Sequence, residues 1–90
     1  MIFKKLKINK IILKNRIVIS PMCQYSAKNG SPTKWHYKHL ESLSETGAGM
    51  VLLESTAVEK QGRISLSDIC LYNLTHEKNL KKLIKFFKSK

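Results

Sequence analysis

Hydrophobic and polar positions change their spacing several times along the chain, and each change marks an element. Leu6 and Ile8 alternate with Lys5 and Lys7, Asn9-Lys10 offers a turn, and Ile11-Ile12-Leu13 returns, so residues 3–13 read as a short β-hairpin. Residues 16–20, Arg-Ile-Val-Ile-Ser, form a β-branched run ended by Pro21. A run without polar alternation suits a strand covered on both faces, as in a parallel sheet. Asn29-Gly30-Ser31-Pro32 sits in a dense loop over residues 24–33. The next stretch predicts a helix from Thr33 as N-cap to Thr46, with Gly47 as its C′ stop and Trp35 or His36, His39-Leu40 and Leu43 on its apolar side.

Met50-Val51-Leu52-Leu53 then predicts a second buried strand running on toward Val58. Residues 59–74 read as a loop, and Thr75 is placed to cap a second helix with Glu77 in its first turn, where a negative charge is favourable. Leu80, Leu83, Ile84 and Phe87 follow at i, i+3, i+4 and i+7, one apolar stripe, with Lys78, Lys81, Lys82, Lys85 and Lys88 around it. Such a stripe packs on a sheet or, less commonly, lies on a membrane surface. The order hairpin, β, loop, α, β, loop, α is that of two successive βα units of a parallel α/β sheet. Both long loops follow strands, on the side where such folds place ligand chemistry. Two parallel strands do not close a barrel, so residues 1–90 are expected to be one part of a larger domain.

Composition narrows the classes. Ninety residues make one folding unit at most, and 42% apolar residues are enough for a core. The net charge of +11 raises nucleic-acid binding as a function. However, fifteen of the 17 basic residues are Lys and only Arg16 and Arg63 are Arg, while Ile occurs nine times. That profile is what AT-rich coding writes onto a protein surface, and it lacks the guanidinium forks that read bases and clamp phosphates. Cys23 and Cys70 have no metal or disulfide spacing, and reduced thiols are expected. Ile11-Ile12-Leu13 is too short for a signal-peptide core or a membrane span, so a cytoplasmic location is expected. His36 and His39, three apart on a helix, lack the further ligands a zinc site needs and read as packed or capping histidines.

The residues from Leu13 to Ser26, LKNRIVISPMCQYS, carry a resemblance. Together with Trp35-His36-Tyr37-Lys38-His39, Gly47-Ala48-Gly49, Glu54-Ser55-Thr56-Ala57-Val58 and Gln61-Gly62-Arg63-Ile64-Ser65, the chain resembles the opening stretch of Old Yellow Enzyme-type flavoproteins, in order from residue 3 to 88. Within that family it is similar to the bacterial branch with Cys and Tyr in the first loop, where another branch carries Thr and Arg. The resemblance implies the first βα units of an FMN-binding (β/α)8 barrel, preceded by a hairpin, and an oxidoreductase passing hydride from NAD(P)H through FMN to an activated alkene or another acceptor.

It also implies site residues. Ser20, Pro21, Met22 and Cys23 would line one side of the flavin ring, with the Cys23 thiol near its N5/C4-carbonyl edge as a weak donor tuning the reduction potential. Tyr25 would point to the substrate side, where a phenol hydrogen-bonds or donates a proton, and Ser55 would meet the flavin where many relatives have Ala. Cys70 and Tyr72 replace a small residue and a Trp common in the family, and Leu43 a frequent basic residue. Glu54 is expected to be paired rather than free, and Arg63 to hold a loop carboxylate or a partner chain, or to stay solvated. The family's third-strand Gln, its His pair, its catalytic Tyr and its phosphate-holding Arg have no counterpart in these 90 residues. A barrel takes about 250 residues, with its phosphate loops from strands 7–8, so the chain by itself is expected to bind FMN poorly and to be inactive. A second polypeptide completing the barrel is a further implied partner.

Overall fold

The structure, a computed structural model, describes residues 1–90. Strands β1 (Leu6–Ile8) and β2 (Ile11–Leu13) pair antiparallel around Asn9-Lys10. Asn9 takes φ 53°, the left-handed conformation that a two-residue hairpin turn demands and Asn tolerates. Leu13, at the end of β2, is buried. Asn15 follows it, donating from its side-chain amide to Gly47 O at 2.7 Å and accepting the Ile17 N–H at 3.0 Å. A Cβ on Gly49 would lie 2.5 Å from the Asn15 carbonyl oxygen, so only glycine lets these two segments cross.

That crossing leads into the parallel pair at the centre of the molecule. Strand β3 (Val18–Ile19) pairs with β4 (Met50–Val51), Val18 opposite Met50 and Ile19 opposite Val51. Helix α1 (Lys34–Ser44) connects them, as the sequence order requires. Both strands are shorter than the sequence suggests, and the expectation of burial on both faces is not met: Val18 is 48% exposed and Ile17 37%. Nothing in these 90 residues packs on their second face.

The second apolar run does not continue as one strand to Val58 either. It breaks after Val51 and resumes as β5 (Thr56–Ala57), which pairs in parallel with β6 (Ile69–Cys70) inside what reads as a loop. A 3₁₀ turn at Lys60–Gly62 and Asp68 shape that connection. Asp68 accepts the Ile64 N–H at 2.6 Å and the Ser65 hydroxyl at 2.8 Å. Burial alone would push its carboxyl up, but these donors, the Ser65 backbone and the Arg63 charge outweigh it, and its pKa lies below the ordinary value.

Both helices start on good caps. Thr33 caps α1 with an unusual reciprocal partner, His36, whose ring takes the place of the Glu or Gln that normally returns to the N-cap backbone. The helix ends at Ser44, two residues early, because the Ser44 and Thr46 hydroxyls bond the Glu41 and Leu43 carbonyls and compete with continued winding. Gly47 then turns the chain at φ 84°. Helix α2 (Leu74–Lys88) is capped by Asn73 rather than Thr75, with Asn73 Oδ1 accepting the His76 N–H at 2.8 Å. Asn is the stronger N-cap of the two, and from position 73 it reaches that N–H directly.

The core is Ala27, Leu40, Ile69, Leu80 and Leu83, with Tyr37, Leu43, Val51, Leu53 and Phe87 packed around it. Leu80, Leu83 and Phe87 therefore face inward as the stripe predicts, while Ile84 at its edge is 42% exposed. Tyr37 meets Phe86 edge-on, with ring centroids 4.9 Å apart, and joins α1 to α2. Only 14 of 90 residues are buried, so the helices cover one side of the strands and leave the other open. No helix is long and apolar enough to cross a membrane.

Gly30 locks the loop before α1 onto β6 and α2. Its φ is 82°, its carbonyl accepts the Cys70 N–H at 2.8 Å, and a Cβ there would run into the His76 ring and come 2.8 Å from Cys70 Cβ. Gly30→Ala is expected to destabilise by roughly 1–3 kcal/mol, read as a lower urea midpoint at constant m; an unchanged midpoint would show that this loop shifts freely. Asp68 should contribute stability that is present above its unfolded pKa and lost as pH falls through its depressed folded value. Asp68→Ala should therefore lower the urea midpoint at neutral pH and flatten its acid dependence; an identical acid limb in the variant counts against this linkage.

Candidate functional site

Parallel pairing of β3 with β4 brings the ends of both strands to one edge, and the ladder continues with the Leu52 N–H donating to Ile19 O at 3.0 Å. Ser20-Pro21-Met22-Cys23 leaves β3 there, and Leu52-Leu53-Glu54-Ser55 leaves β4 beside it. Ser20 and Met22 share with Leu52, Glu54, His36 and His39 a crevice of about 10 Å³, room for one water at most. The inner side of the loop is thus filled by α1, and a flat ligand has only its outer side to use.

That outer side is open. Ser20, Pro21 and Ser55 are exposed, Met22 is 51% exposed, and Cys23 is half-buried with a free thiol. The backbone N–H groups of Met22 and Cys23 make no hydrogen bond within the chain. Unspent donors beside a soft thioether and a thiol suit the polar edge and apolar face of a heteroaromatic ring. The residues present fit an isoalloxazine.

Tyr25 follows at φ 51° with its ring exposed. A bulky side chain in this region carries backbone strain on the order of 1–3 kcal/mol. Gln24 offsets it with a knot of bonds: its side-chain amide donates to Met22 O at 2.9 Å, its Oε1 accepts from Trp35 Nε1 at 3.0 Å, and its carbonyl accepts the Ser26 hydroxyl at 2.9 Å. Sequence reasoning did not single out Gln24, and no pattern in the sequence marks it.

The structure also joins two residues that sequence reasoning treated apart. His36, 1% exposed, points Nε2 at Glu54 Oε2 across 3.5 Å. Burial, reinforced by the nearby His39, lowers the His36 pKa. Burial also raises that of Glu54, with Asp68 adding to the rise and the Gln24 backbone N–H opposing it. His36 Nε2 faces Glu54 without making a hydrogen bond, and His36 is a capping and packed histidine, while His39 stacks on Trp35. No three His, Cys, Asp or Glu side chains converge on a point that would hold a metal ion. Arg63 donates from Nε to Lys60 O at 3.0 Å and lends its charge to Asp68. Cys70 is buried, its thiol on the Asp68 carbonyl at 3.5 Å, and Tyr72 stacks edge-on against His76 with centroids 4.6 Å apart.

Comparison with known proteins places this geometry. The chain is 46% identical over 85 residues to the NADPH dehydrogenase of Listeria monocytogenes, covering 92% of this chain and 25% of that protein. It is 42% identical over 89 residues to the NADPH dehydrogenase of Bacillus cytotoxicus, covering 97% and 26%. Among solved structures it superposes on morphinone reductase with TM-score 0.88 at 16% identity, covering 98% of this chain and 23% of that one. On the Old Yellow Enzyme from Pichia sp. the TM-score is 0.88 at 22% identity, covering 98% and 23%. The fold is therefore the opening part of a (β/α)8 barrel, without closure, and the chain spans about a quarter of the length of the curated relatives it matches. The NADH:flavin oxidoreductase / NADH oxidase family profile matches residues 1–90 throughout, and the chain belongs to that family.

Proposed function

We propose that this chain supplies the first flavin-facing edge of an FMN-dependent NAD(P)H oxidoreductase. The observation that carries the reading is the open shelf at the joined ends of β3 and β4, where Met22 and Cys23 keep free backbone donors and Ser55 stands alongside. The family and its NADPH dehydrogenase relatives supply the cofactor and the hydride donor.

In this reading Ser20, Pro21, Met22 and Cys23 meet one side of the FMN ring, and Ser55 meets it from the second strand. FMN, when bound, carries hydride between NAD(P)H and an electron-poor acceptor such as an activated alkene. The chain's own groups do the rest. Pro21, with its fixed φ, stiffens the shelf, and Met22 lies against the ring. The Cys23 S–H donates weakly to the ring's carbonyl edge and biases its potential. Tyr25, held outward at φ 51°, offers its phenol to the acceptor as hydrogen-bond or proton donor. The 90 residues by themselves are expected to bind FMN weakly and to oxidise no NADPH, since a quarter-barrel leaves the other side of the ring to water. A polypeptide with the later βα units would complete the site. A cytoplasmic setting suits the two free thiols.

A chimera tests this directly: residues 3–88 in place of the matching quarter of the Listeria monocytogenes enzyme. It should fold with bound FMN and oxidise NADPH, while the 90-residue chain quenches FMN fluorescence little; a folded, colourless chimera would overturn the reading. In the same chimera Cys23→Ala should shift the reduction potential of the bound flavin with little loss of flavin content. An unchanged potential would remove Cys23 from the ring edge.

A further inference from the structure

Beneath the shelf, two buried polar groups approach each other without bonding. His36 comes from α1 and is 1% exposed; Glu54 comes from the segment after β4, and its side chain is 4% exposed. Their Nε2 and Oε2 atoms stand 3.5 Å apart, longer than a well-made hydrogen bond, and Nε2 has no other partner. The Nδ1 of the same ring accepts the Thr33 N–H at 2.9 Å, so the neutral ring carries its proton on Nε2. Burial favours that neutral ring. A buried donor without an acceptor is rare in folded proteins, where ordered water meets the groups that protein atoms do not.

The space beside the pair has the size of such a water. Ser20, Met22, Leu40 and Leu53 enclose with His36 and Glu54 a crevice of about 10 Å³, and roughly 10–15 Å³ of such volume holds one molecule. One oxygen can reach both Nε2 and Oε2 at ordinary hydrogen-bond lengths, because the two atoms are only 3.5 Å apart. We propose that this crevice is a binding site for a single buried water, which accepts the His36 Nε2–H and donates to the Glu54 carboxyl. Water is the occupant because the two walls make opposite demands. A cation would face the Nε2–H, an anion would face the carboxylate, and no larger molecule fits. A small group that both donates and accepts satisfies the two together. The bridge joins α1 to the segment after β4 directly behind Ser20 and Met22, and it does not depend on which ligand their loop meets.

The test is made on the 90-residue chain without flavin. Magnetic relaxation dispersion of water oxygen-17 counts the waters held for longer than the protein takes to tumble. The count should fall by one in Glu54→Leu, whose side chain fills the crevice and offers no acceptor, and should stay unchanged in Glu54→Gln, which still accepts. Ile69 and Leu83 methyl resonances left in place show that each variant keeps its core. The His36 ring protons should also show cross-relaxation with water, in the parent chain and equally in Glu54→Gln and Ser20→Ala, which remove the carboxyl and hydroxyl protons that would relay exchange. No long-lived water in the parent chain, or an equal count in a folded Glu54→Leu, overturns the proposal. So does a His36 Nε2–H that shows no cross-relaxation with water, which marks a direct bond to Glu54; if Glu54→Leu does not fold, this measurement decides alone. Either result leaves the flavin reading to stand or fall on the chimera.

Discussion

The parallel contact of β3 with β4 is the constraint on which the rest of the molecule depends. Two residue pairs, Val18 with Met50 and Ile19 with Val51, fix its register. A shift by one residue would turn every side chain of the pair to the opposite face. Gly49 and Asn15 secure that register from below, one by lacking a side chain and the other by bonding across the crossing. With the register set, the loops after the two strands have to meet at one edge, and α1 has to lie beneath them with His36 and Trp35 turned upward. The candidate site thus needs few residues of its own, because the ladder positions them.

The balance of burial shows what kind of object this is. A core of five buried residues holds α1 and α2 against one side of the strands. Small units of this kind are marginal even when their cores are complete. Here the opposite face of β3 and β4 is open, and Leu52, just past β4, is 47% exposed. The superposition on morphinone reductase over 98% of this chain shows that these elements keep the arrangement of that fold although they span about a quarter of it.

How far the sequence was legible depends on how local the signal is. The hairpin, both helices and the βα order follow from spacing and turn chemistry, and the SPMC-x-Y loop from its resemblance. Strand β6 was missed because Ile69-Cys70 is two residues long and sits among Ser, Leu and Asp without alternation; only pairing with Thr56-Ala57 makes it a strand. Helix α2 starts two residues earlier than the expected Thr75 cap allows, because Asn73, which reads as part of the loop, accepts the His76 N–H. The approach of His36 to Glu54 joins α1 to the segment after β4, and no pattern along the chain encodes it. Glu54 was recognisable as a residue needing a partner, but not which one.

One feature of the surface bears on how the molecule behaves in solution. Ile84 stands between two apolar grooves, one of about 670 Å³ lined by Leu71, Tyr72, Leu74 and Leu80, the other of about 370 Å³ lined by Leu40, Met50, Val51, Leu53 and Phe87. Lys81 lines the first groove and Lys88 the second, and the whole chain carries +11. Like charge therefore stands guard over sticky surface: in dilute salt copies repel before the grooves can touch. At physiological ionic strength that repulsion reaches only about 8 Å, so the charge shields the grooves less as salt rises.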